Sequence, residues 1–281
     1  MGRRARDTST RVSAIMVARN AESTIERAIR TALFGLTKDS ELLVLLDDCS
    51  DSSGDLARGI RDNRLRIFEV KSNLGVAAGR NFLIERATHE IIAICDSDDV
   101  FFPWRFVSGA KGIIAQRLDF HFQNAVIFGK NGTVAFFVPQ IPDRIKAEDA
   151  KVALAHANPF VHSSATFLKS SFNSLGGYRN RPSEDYDLWL RASQASMALA
   201  KSRFWGIGYR IHNSQLTQNS NWRAQVKNDD ELSQLIARQR AMVETLQNVT
   251  PRNRRNWLRK MATWVANQLG LQTISAGRRR D

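Results

Sequence analysis

Ile91-Ile92-Ala93-Ile94-Cys95-Asp96-Ser97-Asp98-Asp99 is an apolar run that empties into three carboxylates within four positions. The run has the length and composition of a buried strand, and a buried strand has little use for carboxylates in its own core. Placed at a strand's carboxyl end, the same acids make a holder for a hard divalent cation. Such ions take oxygen ligands, and Mg²⁺ is usually held by one or two carboxylates together with substrate phosphates. Alone, these residues also describe a solvated acidic loop.

The segments on either side choose between the two readings. Val12 to Val17 reads as a first buried strand, with Asn20 at the turn as a helix cap and helical spacing over residues 22–34. Leu42 to Leu46 forms a second strand that runs into Asp47-Asp48-Cys49-Ser50-Asp51, followed by a helix through Leu56 and Ile60. Leu65 to Val70 is a third strand and residues 76–87 a helix. Strands alternating with helices of this length predict an α/β fold, a mostly parallel Rossmann-like sheet flanked by helices. Ligands gather outside the carboxyl ends of such strands. Here those ends carry Asn20, then Asp47 and Asp48, then Lys71 to Asn73, then Asp96 to Asp99.

Beyond Pro103-Trp104-Arg105-Phe106 the pattern predicts a helix to about Gln116 and a hairpin over 123–138 turning at Asn131-Gly132. A helix around 147–156 and a strand from Ser164 to Leu168 follow. Ser183-Glu184-Asp185-Tyr186 opens an apolar helix through Leu188, Trp189 and Leu190, and residues 198–211 read as a pair of strands ending at His212. The chain divides into a basic N-terminal tail (1–11), a catalytic domain (12–221) and a basic C-terminal helical extension (222–281).

The 281 residues carry a net charge of +13, of which the two ends hold +3 and +7. That basicity points to an anionic partner surface, membrane or nucleic acid. Residues 254–271 combine an apolar face with flanking Arg and Lys, the pattern of a helix lying on a membrane or packing on its own domain. No apolar run approaches the roughly 20 residues needed to span a bilayer, and residues 1–11 are polar and basic, with no apolar segment behind them that reads as part of a signal peptide. Cys49 and Cys95 give neither a disulfide framework nor a metal-knuckle spacing. The expected location is cytoplasmic, with peripheral contact at the inner face of the membrane through the C-terminal basic helix.

Four separated segments resemble the family 2 glycosyltransferases of the GT-A fold. Val12 to Asn20 is similar to an opening strand that usually reads Val-Ile-Ile-Pro-x-Tyr-Asn. Leu45-Leu46-Asp47-Asp48-Cys49-Ser50 with Asp51 is similar to Val-Asp-Asp-Gly-Ser-x-Asp. Asn73-Leu74-Gly75, Gly79-Arg80-Asn81 and Asp96-Ser97-Asp98-Asp99 form the third, and Gly176-Gly177-Tyr178 with Glu184-Asp185-Tyr186-Asp187-Leu188-Trp189-Leu190-Arg191 the fourth. The resemblance covers about residues 12–215. It implies transfer of a single sugar, with inversion and a divalent metal (Mn²⁺ or Mg²⁺), from a nucleotide-sugar, a UDP-sugar above all. The implied acceptor is a glycan or a lipid-linked molecule in polysaccharide biosynthesis, with no specific nucleic acid as partner.

Residue by residue, the resemblance implies that Asp48 accepts the uracil N3–H and that Val17, Ala18, Arg19 and Asn20 line the base pocket. Asp98 corresponds to the ribose contact, Asp99 to the direct metal ligand and Asp96 to a carboxylate behind it that holds Arg80. Arg80 falls where the family places a base- or diphosphate-facing arginine, Asp185 where it places the general base, and His212 where a histidine completes the metal shell. Glu184 is assigned to the acceptor or the adjoining loop, and Trp189 to the core or a wall of the acceptor pocket. Each has a plainer alternative: Asp47-Asp48 as a helix cap with Ser50, Arg80 as a surface ion pair, Glu184-Asp185 as acids favoured in any first helical turn, and His212 as an ordinary hydrogen-bonded histidine.

The chain departs from the family at Ala18 for Pro, Arg19 for Tyr and Cys49 for Gly. A positive φ demanded at Cys49 would be strained, and Arg19 can stack as a guanidinium plane. No Gln-x-x-Arg-Trp signature of processive synthases is present. A nucleotidyltransferase would require a Gly-rich phosphate loop after the first strand, and Ala18-Arg19-Asn20-Ala21-Glu22 has no Gly. A non-catalytic module binding an anionic surface is the remaining alternative.

Overall fold

The computed structural model describes residues 10–129, 144–212 and 220–246. Its centre is an eight-stranded sheet of order β3-β2-β1-β4-β7-β6-β8-β5. The first half is the predicted unit: β1 (Val12–Ala18), α1 (Ile25–Gly35), β2 (Glu41–Asp47), α2 (Ser53–Arg58), β3 (Leu65–Val70), α3 (Val76–Arg86) and β4 (Ile91–Asp96). All four strands are parallel, and in register Val17 lies between Leu45 of β2 and Asp96 of β4. The acidic ends of β2 and β4 therefore flank the end of β1.

The strands are apolar on both faces because helices cover both faces. Ile15, Leu43, Leu45 and Ile94 face α3 and α7, whereas Ala14, Met16, Val44 and Cys95 face α1 and α4. Gly79 lets α3 settle onto the sheet: a Cβ there would meet Leu45 and Val17 at 3.1 Å, closer than ordinary contact.

The second half is mixed. It holds β5 (Val100–Phe101), α4 (Arg105–Gln116), β6 (Phe120–Gly129), α5 (Ala147–Leu154), a 3₁₀ turn (His162–Ser164), β7 (Thr166–Leu168), α6 (Lys169–Ser174), α7 (Glu184–Gln194) and β8 (Leu199–Ile211). β7 runs antiparallel to both β4 and β6, and β8 runs parallel to β6 and antiparallel to β5.

Three expectations change. Residues 198–211 form one long strand, because irregularities in the pairing of Phe122, Asn124 and Ala125 absorb the break in pattern that reads as a turn. Asn20 is not a helix cap: α1 begins only at Ile25, and Asn20 has φ of 48°. Of the hairpin over 123–138, the first arm is β6; its turn and second arm lie outside the described residues.

Two further helices follow, α8 (Ser220–Lys227) and α9 (Asp230–Leu246). Leu232 and Leu235 of α9 belong to the same buried cluster as Trp189 and Leu190 of α7. Gln239 donates to the Lys151 carbonyl and the Ser193 hydroxyl, and Arg240 to the Ala155 carbonyl. This part of the C-terminal extension is thus bonded into the body of the fold. The helix expected at 254–271, with its membrane contact, and residues 1–9 of the basic tail lie outside the described residues. Among the described residues no helix is long and apolar enough to cross a membrane.

Candidate active site

At the end of β2 the two adjacent aspartates part company. Asp47 is buried, and its two oxygens accept the backbone N–H groups of Leu74 (2.8 Å) and Gly75 (3.0 Å). It shapes the loop into α3, where Gly75 has φ of 80° with open space about its α-carbon, so glycine serves conformation there and not packing. Asp48 points outward, half-exposed, to Arg19 (Oδ2 to Nη2, 3.2 Å). The positive φ of this turn, 55°, falls on Asp48 and not on Cys49. Aspartate tolerates that region better than most residues, so the substitution of glycine by Cys49 brings no strain. Asn20 accepts the Ser50 backbone N–H at 2.8 Å and pins the β2–α2 loop to the end of β1. Of the residues expected along the base pocket, Arg19 and Asn20 are exposed and Val17 is half-buried beside Gly79. Ala18 is enclosed on the opposite face, in the cluster under α1, so its side chain is not available to a base.

The end of β4 is tied to the start of α7 through one side chain. Arg80, 7% exposed, pairs with Asp96 (2.8 Å) and with Glu184 (2.5 Å), and its guanidinium lies 5.8 Å from the centre of the Tyr178 ring. Asp96 therefore holds Arg80 as expected from the sequence. Arg80, however, spends both terminal nitrogens on carboxylates, so the geometry does not match an arginine reaching for a base. Burial opposes the charge on Arg80, and Asp96 and Glu184 outweigh it and raise its pKa. Burial pushes Glu184 up to about 7, with Arg80 pulling it down and Asp185 pushing it further up.

Asp185 stands beside this pair at the first turn of α7. Its Oδ1 accepts the Tyr186 N–H (2.7 Å) and its Oδ2 accepts from the Asn158 amide (2.8 Å). Burial raises its pKa, and those two hydrogen bonds and Arg80 act against the rise. The result is a fixed carboxylate that is more basic than a free one. Behind it, His162 is bonded to the Tyr178 hydroxyl (2.8 Å), and burial holds the imidazole neutral.

Asp98 and Asp99 also diverge. Asp99 is 2% exposed and spends both oxygens on protein donors, Oδ1 on the Arg210 backbone N–H (2.9 Å) and Oδ2 on the Ser163 hydroxyl (2.5 Å). It is the expected metal ligand, yet it presents no free oxygen to an ion. Asp98 instead faces His212, Oδ2 to Nε2 at 2.8 Å, and both are partly exposed. Among the described residues no three His, Cys, Asp or Glu side chains gather as a metal cage.

A carboxylate and an imidazole side by side nevertheless fit Mn²⁺ or Mg²⁺ once diphosphate oxygens supply the remaining ligands. The surroundings fit as well. Asp96 and Asp99 are raised above the usual carboxylate range, first by burial and then by the charge of Asp98, with Arg80 opposing the rise at Asp96. Such a site has room for positive charge.

Trp189 does not meet an acceptor. It is fully enclosed, edge-on to Phe122 at 4.8 Å and to Phe120 at 5.4 Å. The residues that the sequence reading did not single out are Asn158, Ser163 and Arg210. Arg210 had a signal, two positions before His212 at the end of a predicted strand, whereas Asn158 and Ser163 come from segments with no motif.

The family model described as "Glycosyl transferase family 2" matches residues 13–176. The protein EpsE of Bacillus subtilis (strain 168) is 29% identical over 193 residues, 64% of this chain and 66% of that one. UDP-Glc:alpha-D-GlcNAc-diphosphoundecaprenol beta-1,3-glucosyltransferase WfgD of Escherichia coli is 31% identical over 127 residues, 45% of this chain and 50% of that one. The chain thus spans half to two thirds of the length of these relatives. Mannosyltransferase PcManGT from Pyrobaculum calidifontis, solved with GDP-Man and Mn²⁺, superposes with a TM-score of 0.60 at 14% identity, covering 97% of this chain and 78% of that one. That likeness is one of fold. The matched span holds Asp48, Arg80 and Asp96 to Asp99 and stops short of Glu184, Asp185 and His212.

Proposed function

Because the chain belongs to glycosyl transferase family 2, we propose that it moves a single sugar from a UDP-sugar to a hydroxyl of a glycan or lipid-linked acceptor, with inversion and with a divalent cation. The observation that carries this reading is the Asp96–Arg80–Glu184 chain, which ties the acidic end of β4 to the turn that carries Asp185. A donor-phosphate site and a base that must act on opposite sides of one anomeric carbon are thereby joined by one buried side chain.

In this reading Asp48 and Arg19 meet the base edge, the carboxylate accepting an N–H and the guanidinium donating to a neighbouring carbonyl oxygen. Asp98 and His212 would hold the cation, with Asp99 fixed beside Asp98 by Ser163 and the Arg210 backbone N–H. When bound, the ion offsets the charge that grows on the departing diphosphate. Asp185 accepts the proton of the acceptor hydroxyl as that oxygen attacks the anomeric carbon. The new C–O bond forms as the bond to the diphosphate oxygen breaks, and the nucleoside diphosphate leaves with the electron pair. Its raised pKa gives Asp185 more driving force for that transfer than a free carboxylate has. Glu184 orients Arg80 and is not itself the base.

The likeness to WfgD, a UDP-Glc:alpha-D-GlcNAc-diphosphoundecaprenol glucosyltransferase, supports a lipid-linked acceptor and a UDP donor, and the GDP-Man complex of PcManGT supports Mn²⁺ while keeping guanine as the competing base. Incubation of the protein with UDP-Glc, UDP-GlcNAc or GDP-Man and Mn²⁺ tests the proposal by slow donor hydrolysis. Release of UDP that stops with chelator is expected. Failure to bind or hydrolyse any nucleotide sugar would remove the reading.

A further inference from the structure

Arg105 opens α4 and is wholly enclosed, with no carboxylate paired to it among the described residues. Its guanidinium donates to the Thr166 hydroxyl (2.7 Å) and to the carbonyls of Ala165 (2.8 Å) and Ser163 (3.2 Å). Burying a cation without a counter-ion costs free energy, and here burial drags its pKa down to about 10. Two glycines keep the space it fills. A Cβ on Gly109 would lie 3.0 Å from Nη1, and one on Gly206 would lie 2.8 Å from Cδ. Neither glycine has a positive φ, so both are small for packing, against Arg105 together with Thr166 at Gly109 and with Gln123 at Gly206.

What Arg105 grips leads to the acidic turn. The Ser163 carbonyl accepts from Arg105, and the Ser163 hydroxyl donates to Asp99 Oδ2. From the other side, the Arg210 backbone N–H donates to Asp99 Oδ1 and the Arg210 side chain to the Asp98 carbonyl. Just past the end of β8, His212 meets the Asp98 carboxylate. Asp99 is thus clamped between the 3₁₀ turn and β8, and the clamp decides where Asp98 points.

We propose that Arg105 is a positioning residue for the cation site. Through the Ser163 carbonyl it seats the Ser163 hydroxyl on Asp99, and Asp99 then presents Asp98 beside His212. The inference rests on the reading of Asp98 and His212 as the protein's ligands to the ion. It assigns to a buried cation, joined to the acidic turn only through Ser163, a measurable hold on metal affinity, as partners behind a ligand commonly have.

The test is a Mn²⁺ titration of the full-length protein with saturating UDP, the free ion followed by its electron paramagnetic resonance signal. Ser163→Ala and Arg105→Met are each expected to weaken Mn²⁺ binding about tenfold or more without changing UDP binding in the absence of metal. Ser163→Thr, which keeps the hydroxyl, is expected to restore it. The double variant is expected to bind no worse than the weaker single one, since the two act in series. If Arg105→Met fails to fold, Arg105→Lys takes its place, keeping the charge while losing the fork that spans a hydroxyl and two carbonyls. Unchanged Mn²⁺ binding in Ser163→Ala overturns the proposal, as do fully additive effects. Asp98→Ala serves as the control: Mn²⁺ binding that survives it overturns the reading of the ligands themselves, and the proposal with it.

Discussion

Arg80 and Glu184 are 104 positions apart in the chain and meet at 2.5 Å in the interior. Their contact closes the fold around its candidate site, because Arg80 also holds Asp96 and because Glu184 adjoins Asp185. An arginine that serves two buried acids at once is not replaceable by a neutral residue. Arg80→Met leaves Asp96 and Glu184 without their counter-charge, and breaking a buried pair of this kind costs about 3–5 kcal/mol. The expected outcome is loss of most sugar transfer together with a lower urea midpoint. Arg80→Lys, which can satisfy only one of the two acids, is expected to fall between. Wild-type stability in Arg80→Met would show that the ion pairs are ornamental.

The basicity of Asp185 gives a prediction with a sign. The Asn158 amide hydrogen-bonds the charged carboxylate and so acts to lower its pKa against burial. Removing that donor in Asn158→Ala lets the pKa rise. The acidic limb of the kcat/KM profile should then move to higher pH, with the plateau rate largely retained above it. A profile measured on both proteins checks this, and a shift toward lower pH would exclude Asp185 as the group that must be ionised.

Asp98 and Asp99 are predicted to fail in different ways. Asp98→Ala removes an oxygen that faces His212, so Mn²⁺ affinity and transfer should both fall while the fold persists. Asp99→Ala leaves the Ser163 hydroxyl and the Arg210 backbone N–H unpaired in the interior, a loss of about 1–3 kcal/mol for each stranded group. Thermal melting of the two variants separates them: only Asp99→Ala should melt well below wild type.

Much of this arrangement was legible because it is local. The strand-and-helix alternation from Val12 to Asp96 follows from apolar runs and turn residues, and the strand ends themselves display Asp47, Asp48 and Asp96 to Asp99. For Asp47 and Asp48 the resemblance turned Asp48 outward and Asp47 toward the loop, and the bonds of Asp47 to Leu74 and Gly75 agree. For Asp98 and Asp99 the inward member was not legible, because it depends on Ser163, which comes from elsewhere in the chain and carries no pattern of its own. In the sequence Trp189 stays open between core and acceptor wall for the reverse reason. It lies one turn past Asp185 on an acidic helix, and only the packing of Phe120 and Phe122 from β6 shows that its ring points inward. The continuity of β8 was hidden by pairing irregularities with β6, a property of two strands and not of one.

Acid stability should depend on Glu41, far from the site at the opposite end of β2. Burial acts to raise its pKa, but bonds from Ser13, from the Thr88 N–H and hydroxyl and from Arg66 outweigh burial and hold it at about 2, against 4.5 unperturbed. A carboxylate with a depressed folded pKa contributes stability above its unfolded pKa and loses it as pH falls through the folded one. The contribution, about 3 kcal/mol, is therefore full above pH 5 and disappears between about 4.5 and 2. Urea unfolding at pH 5 and pH 3 should show a steeper loss for wild type than for Glu41→Gln.

The C-terminal helices should matter to catalysis through the loop just before Asp185. Arg181 is nearly buried and pairs with Asp229 at 3.3 Å and with Glu231, both from the α8–α9 junction, while its Nε lies 3.5 Å from the fully buried Asp187. Trp222 adds a bond from its indole N–H to the Pro182 carbonyl. Residues 181 and 182 are therefore anchored by groups that lie beyond residue 221. A chain ended at 221 would lose those anchors and expose the faces of α5 and α7 that α9 covers, so it is expected to unfold at far lower denaturant than the full chain. Asp229→Asn isolates the anchor from the covering: α9 keeps its apolar contacts, the amide oxygen still accepts the Leu232 N–H that Asp229 caps at the start of α9, and the ion pair with Arg181 is lost. The expected result is a kcat reduced several-fold with little change in donor KM, because the base is displaced and the donor site is not. A KM effect without a kcat effect would place Arg181 and its partners in donor binding instead, and unchanged kinetics would reduce the junction to a purely structural brace.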